Sequence, residues 1–328
     1  MKKRVLITDP IHPDAIERLV EAGFDVTELS EAERSQLPAL AEPYDAIVCR
    51  TSTTCDVALF EQAPKLSVIA IASTGYDRID IQEAKKRGIP ILGLPSFNPD
   101  IDPERDGNFV STAEHAVLLI LAALGDFYHA YESMKEGRWD KKHLVGNELA
   151  GKTVGLFGFG RIATLVARRL APFRVRVIAY DPYASIEKAA AEGVTLVSFE
   201  EFCRDVDIIS IHAPKTDETE GKIGRNAFAL MKDDIFIVNT ARSAINEETA
   251  LIEALKSGKV KRAAFDVFHD EPDGVHEGAS RELIQMPNVI ATPHIGGSTH
   301  EAWRRISLSA ADNIIAFFHG EIRNQLNP

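Results

Sequence analysis

Three residues far apart in the chain, Arg242, Glu271 and His294, each follow a short apolar run that reads as a strand. If those strands are parallel neighbours, the three side chains converge at one rim. A guanidinium grips a planar carboxylate through two parallel N–H groups. An imidazole titrates near neutrality and can carry a proton to or from a hydroxyl. A neighbouring carboxylate raises the imidazole pKa and fixes the ring. Fixed cation, proton carrier and tuning acid are what interconversion of a hydroxy acid and an oxo acid requires. Singly, each has a plainer reading: Arg242 as a helix-flanking surface charge, Glu271 as a loop acid before Pro272, His294 as a hydrogen-bonded histidine at a hinge.

The stretch VGLFGFGRIA at 154–163 tips the balance toward chemistry. Residues 153–157 read as a buried strand, and residues 161–170 carry apolar side chains at helical spacing. Gly158 allows the sharp turn between them, and Gly160 lets backbone approach a pyrophosphate with no Cβ in the way. Ala163 is the third small position, where helix packs on strand. The helix start, Arg161 and Ile162, offers unpaired N–H groups and a partial positive charge to phosphates. Asp181 ends the next apolar run, 21 residues after Gly160. An acid there can accept both ribose hydroxyls of an adenosine and repel a 2′-phosphate, so it favours NAD over NADP.

Positioning these groups takes two series of alternating strands and helices. The first has strands at 5–8, 24–29, 46–49, 66–72 and 89–92, with helices at 13–22, 57–63 and 81–87. Arg50 and the Ser73-Thr74-Gly75 loop fall at carboxyl ends of its strands, where ligands sit in parallel sheets. The second has strands at 153–157, 175–180, 195–197, 206–211, 235–239, 262–267 and 289–291, closed by a helix at 301–318. Between the series, residues 95–108 hold prolines, Gly107 and four acids, and read as a loop that crosses between domains. Ser111 and Glu114 predict a capping box for a helix over 111–124, with more helix at 127–139. Alternation of this kind makes an α/β protein with doubly wound parallel sheets.

Composition narrows the function classes. The chain has 328 residues, 45% of them hydrophobic, enough for one large or two medium cores. A net charge of −12 argues against nonspecific nucleic-acid binding. Cys49, Cys55 and Cys203 lack metal-ligand spacing and are odd in number, which predicts a reducing, cytoplasmic setting and no metal. MKKRVLITDP reads as a first strand rather than a signal peptide. The longest clean apolar run, 116–124, is too short to span a bilayer.

On four motifs the chain resembles the D-isomer-specific 2-hydroxyacid dehydrogenase family: GFGRIA with Asp181, NTARSAINEETAL (239–251), AAFDVFHDEP (263–272) and TPHIGGST (292–299). They stand in the family's order and spacing, and the likeness covers nearly the whole chain. The resemblance implies two doubly wound domains, a flavodoxin-like substrate domain over 1–109 completed by 299–328 and a Rossmann NAD domain over 110–298, with a cleft between them. It implies hydride transfer between the nicotinamide and C2 of a D-2-hydroxy acid, with His294 as proton donor and acceptor, Glu271 its partner and Arg242 the substrate-orienting cation. Further NAD contacts implied are Thr74, Gly158, Gly160, Arg161, Ile162, Asp181, Ala213, Thr240, Ala241, Asp266, Gly296 and Gly297, Asp266 accepting from the carboxamide. The backbone of Ser73, Thr74 and Gly75 would hold the substrate carboxylate. A homodimer through the NAD domain is expected.

Within the family the likeness leans to phosphoglycerate dehydrogenases, through residues 134–155 and HIGGST, and Arg50 stands where those enzymes place a phosphate-binding arginine. With nothing after Pro328, a short form is expected. Other small 2-hydroxy acids (glycerate, sulfolactate, a sugar acid) remain as alternatives, as does a non-catalytic NAD-sensing relative. The chain departs from the family in three places. Ser243-Ala244 replaces a glycine pair, Asn246 replaces an acid, and residues 95–110 run about ten residues longer than the family norm, judged by motif spacing. Arg105 in that loop is a candidate for an anion.

Overall fold

The computed structural model describes residues 2–94, 108–269 and 278–328. The chain divides into two compact units, Met1–Val110 with Gly297–Pro328, and Ser111–Gly296.

The first unit holds five parallel strands: β1 (Arg4–Ile7), β2 (Asp25–Glu28), β3 (Ala46–Cys49), β4 (Val68–Ile71) and β5 (Ile91–Leu92). Their order is β2-β1-β3-β4-β5, all pairs parallel. The central sequences AIVC and VIAI are buried at every position, as strands covered on both faces must be. α1 (Pro13–Glu21) starts on Pro13, whose fixed φ suits a first helical position, and the His12 ring caps it by accepting from the Asp14 amide. The last helix of the chain, α13 (His300–Phe318), packs on α1 and β4 and buries Ala310, Ala311 and Ile314 in this core. Asn327 then pins β5, accepting from the Ile91 amide and donating to the Ile89 carbonyl.

The second unit has seven strands: β6 (Thr153–Phe157), β7 (Arg176–Tyr180), β8 (Val194–Leu196), β9 (Ile208–Ile211), β10 (Ile235–Asn239), β11 (Val260–Phe265) and β12 (Val289–Ala291). All pairs are parallel, in the order β12-β11-β10-β9-β6-β7-β8. Strand order therefore reverses between β6 and β9 here, and between β1 and β3 in the first unit. In open α/β sheets ligands bind beyond the carboxyl ends of strands at such reversals.

Several local expectations need correction. α5 runs Phe109–Gly125, so Ser111 is a buried residue inside its first turn and not an N-cap. α6 (Phe127–Lys135) stops four residues before Trp139, because Gly137 turns the chain away at φ +74°. α12 (Gly278–Gln285) has no counterpart in the sequence reading. Most of the long 95–110 loop, with Arg105, lies outside the described residues. Among the described residues no single helix is long and apolar enough to cross a membrane; α5 and α6 together reach the length but are bent by 69°.

Candidate active site

At the reversal of the seven-stranded sheet, β6 ends at Phe157 and Gly158 takes φ +89°. A Cβ on Gly158 would lie 2.8 Å from the Ala213 amide nitrogen, so the turn passes against the end of β9 with no room for a side chain. α7 (Arg161–Leu170) begins at once, with Gly160 as an N-cap that supplies no side chain. Its first N–H groups are therefore left for a ligand, and the space beside Gly160 is open. Asp181 braces this turn. Its Oδ2 accepts from the Phe159 amide at 2.8 Å and its Oδ1 from the Tyr183 amide at 2.9 Å. Each carboxylate oxygen keeps a lone pair for a hydroxyl. Burial lowers the Arg161 pKa.

The neighbouring strand ends carry buried polar atoms without hydrogen-bond partners among the described residues: Nδ1 of His212 after β9 and Oγ1 of Thr240 after β10. Unpaired buried polar atoms are costly and mark places where a ligand or water completes the set. Burial pushes the His212 pKa down to about 3, so this ring is neutral, with Nε2 on Ser210 Oγ at 2.8 Å. An uncapped helix start, open space at Gly160, an acid at the end of β7 and unpaired buried polar atoms after β9 and β10 together fit a dinucleotide.

β10 ends in a clasp that the sequence reading missed. Asn239, fully buried, accepts from the Ala241 amide and donates to the Arg242 carbonyl, both at 2.9 Å. The bend points Arg242 out of the strand, half-buried, with NH1 on the Ala241 carbonyl. The Ser243-Ala244 pair forms a short 3-10 turn, Ser243–Ile245, and Asn246 is buried with Oδ1 unpartnered among the described residues.

The next two strand ends belong together. Asp266, after β11, is 1% exposed. Its Oδ1 accepts from Thr292 Oγ1 at 2.5 Å and the Ile295 amide at 2.9 Å, and its Oδ2 from the Gly296 amide at 2.7 Å. His115 Nε2, from α5, lies 3.3 Å from Oδ1. Burial raises the Asp266 pKa, but His115, Thr292 and the two amides outweigh it and hold the carboxyl below its ordinary 3.8. The Asp266 main chain also takes part: its carbonyl accepts from the His294 amide at 2.9 Å. His294 is held in the left-handed region at φ +52°, with its side chain exposed. A non-glycine residue there is uncommon and is kept by the bonds on either side of it.

Arg242, Asp266 and His294 thus follow three consecutive neighbours in the sheet, β10, β11 and β12. Glu271 lies outside the described residues.

The first unit presents its own rim. Asp9, after β1, is 3% exposed; its Oδ2 accepts from the Arg50 amide and Thr53 Oγ1, both at 2.7 Å. Its Oδ1 has no hydrogen bond among the described residues, with Arg34 NH1 at 3.7 Å. Arg50, after β3, is half-buried; among the described residues Nε is unpartnered and NH1 reaches only the Pro10 carbonyl at 3.5 Å. Burial lowers its pKa and Asp9 partly offsets that. One strand over, Ser73 Oγ donates to the Gly75 carbonyl, which fixes the 73–75 loop. Thr74 Oγ1 donates to Asn108 Oδ1 at 2.5 Å, and a Cβ on Gly297 would lie 2.6 Å from Asn108 Nδ2. Asn108 thereby links Thr74 to Gly297, two expected cofactor positions. Asn239 and Thr292 open two of the quoted motifs, but no role was read for either, and Asp9, Asn108 and His115 lie outside all four.

A doubly wound parallel unit with a glycine turn at its reversal and an acid on the next strand is a dinucleotide-binding domain. Residues 117–296 match the family model described as D-isomer specific 2-hydroxyacid dehydrogenase, NAD binding domain. The chain is 39% identical to a D-3-phosphoglycerate dehydrogenase of Archaeoglobus fulgidus over 99% of its own length and 59% of that protein's. It is 38% identical to a hydroxypyruvate reductase of Thermotoga maritima, covering 95% of this chain and 97% of that one. A crystal structure of D-lactate dehydrogenase from Aquifex aeolicus complexed with NAD and lactic acid superposes with a TM-score of 0.82, at 27% identity and 99% coverage of both chains. The chain belongs to the D-isomer-specific 2-hydroxyacid dehydrogenase family, and its second unit carries the family's NAD-binding domain. It spans a little under three-fifths of the length of phosphoglycerate dehydrogenase relatives it matches.

Proposed function

We propose that the chain is an NAD-dependent oxidoreductase that interconverts a small D-2-hydroxy acid and its 2-oxo acid, with 3-phosphoglycerate and phosphohydroxypyruvate as the favoured pair. The observation that carries the reaction class is the row of Arg242, Asp266 and His294 after three neighbouring strands. Bound NAD supplies or accepts the hydride at C2. The protein does the rest. Arg242 and the 73–75 backbone orient the substrate carboxylate. His294 gives a proton to the C2 oxygen when the oxo acid is reduced and takes it back when the hydroxy acid is oxidised, with Glu271 as its partner. The glycine turn, the start of α7 and Asp181 hold the pyrophosphate and ribose, and Ala213, Thr240, Ala241, Asp266, Gly296, Gly297 and Thr74 the rest of the cofactor. Residues 1–109 with 299–328 serve the substrate and 110–298 serve NAD.

The phosphate tail rests on Arg50, whose buried Nε lacks a partner among the described residues. A second reading, reduction of hydroxypyruvate, is favoured by the hydroxypyruvate reductase relative, which this chain matches over nearly its whole length. Two copies pair through α5–α6. Leu118, Phe127, Tyr131, Met134 and Trp139 are exposed there, Trp139 by 80%, a density of large apolar groups that marks an interface. Free, buried cysteines at 49, 55 and 203 support a reducing, cytoplasmic setting.

The test is His294→Asn with phosphohydroxypyruvate and hydroxypyruvate. NADH should bind with unchanged Kd while kcat falls by about 10²–10⁴-fold, the usual worth of a positioned general acid. Undiminished kcat would remove His294 from the reaction.

A further inference from the structure

The turn that presents His294 is built on a buried side chain with no part in the reaction proposed above. His115 sits on α5 with its side chain 11% exposed, and Nε2 lies 3.1 Å from Thr292 Oγ1 and 3.3 Å from Asp266 Oδ1. The proton order follows from the contacts. Thr292 Oγ1 gives its only proton to Asp266 at 2.5 Å, so toward His115 it can only accept. An ionised carboxylate also only accepts. Both neighbours therefore require Nε2 to carry hydrogen and donate. His115 orders Thr292, and both fix the plane of the Asp266 carboxylate.

That carboxylate in turn takes the amides of Ile295 and Gly296, while the Asp266 and Thr292 carbonyls take the amide of His294. His294 is thus gripped on both sides, which sustains its φ of +52°. Gly296 closes over the network with no space to spare: a Cβ there would meet Asp266 Oδ2 at 3.0 Å and His115 Cδ2 at 3.5 Å. We infer that His115 is a positioning residue for His294, acting through Thr292 and Asp266 and touching neither substrate nor cofactor. The inference rests on the assignment of His294 as proton carrier. A buried imidazole, hydroxyl and carboxylate carry a desolvation cost that an apolar filler avoids, so their presence under this turn calls for a return in geometry.

The experiment compares His115→Leu, which removes the donor, with His115→Gln, whose amide N–H reaches about as far as Nε2. The protein is labelled with [13Cε1]histidine, and the His294 resonance is identified by its loss in His294→Asn. In His115→Leu the His294 resonance should move or broaden and kcat should fall about tenfold, a sub-ångström misplacement of a catalytic group, with NADH Kd within about twofold. His115→Gln should return both toward wild type. An unmoved His294 resonance with unchanged kcat in His115→Leu overturns the inference. So does a His115→Gln variant as impaired as His115→Leu, or a loss of NADH binding that matches the loss of kcat. If the wild type turns over no 2-oxo acid but the His294 resonance still responds to position 115, the functional reading falls and the positioning role stands.

Discussion

Asp9 and Asp266 are both buried aspartates just beyond parallel strands, 3% and 1% exposed, yet they are used in opposite ways. Asp266 has donors on both oxygens, all from within its own unit. Its charge shapes the 292–296 turn. Among the described residues Asp9 is satisfied on one oxygen only, and the arginine whose backbone it holds keeps an unpartnered Nε. A completed buried carboxylate fixes geometry. Beside the half-completed Asp9, it is the unused Arg50 donor that leaves capacity for an incoming anion. The seven-stranded unit therefore arrives pre-shaped, and the five-stranded unit keeps its charges open.

The sharpest way to break this contrast is to neutralise each acid in turn. Asp266→Asn keeps the shape but puts an amide N–H against groups that donate, and should destabilise the protein by about 3 kcal/mol. That lowers Tm by roughly 6–12 °C. Asp9→Asn can keep its oxygen toward Arg50 N and Thr53 and turn its NH2 to the unbonded side, so it should lose about 1 kcal/mol. Equal losses would erase the distinction. The Asp266 effect also has a sign with pH. Its folded pKa lies below 3.8, so its contribution is fully present above that pH and is lost as pH falls through the folded value. The deficit of Asp266→Asn should accordingly narrow in denaturation curves taken below pH 3.8.

A smaller effect is expected at the open rim. Arg50→Gln should raise KM for a phosphate-bearing 2-oxo acid about 10–100-fold, the worth of a charged hydrogen bond, with kcat and NADH binding little changed. An unaltered KM would take Arg50 out of substrate recognition.

How much of this was readable beforehand follows the same division. The glycine turn, Asp181 and the strands around them were legible because backbone shape there is written in residue type: glycine where φ is +89°, apolar runs where both sheet faces are covered. The places of Arg242, His294 and Arg50 after strand ends were legible from the apolar runs that precede them. Asn239, Thr292 and His115 were not, because their roles depend on hydrogen bonds across 3 to 177 positions of sequence. The helix boundaries failed where tertiary burial overrode local signals, as at Ser111, a good N-cap type that the core draws into the helix.

The most direct measurement of the central claim is NADH oxidation by the purified protein against 2-oxo acids that differ in their tails: phosphohydroxypyruvate, sulfopyruvate, hydroxypyruvate, glyoxylate, pyruvate and 2-oxoglutarate. The account predicts turnover, highest kcat/KM with phosphohydroxypyruvate, and a marked preference for NADH over NADPH. NADH that binds tightly but is oxidised by none of these acids would contradict it.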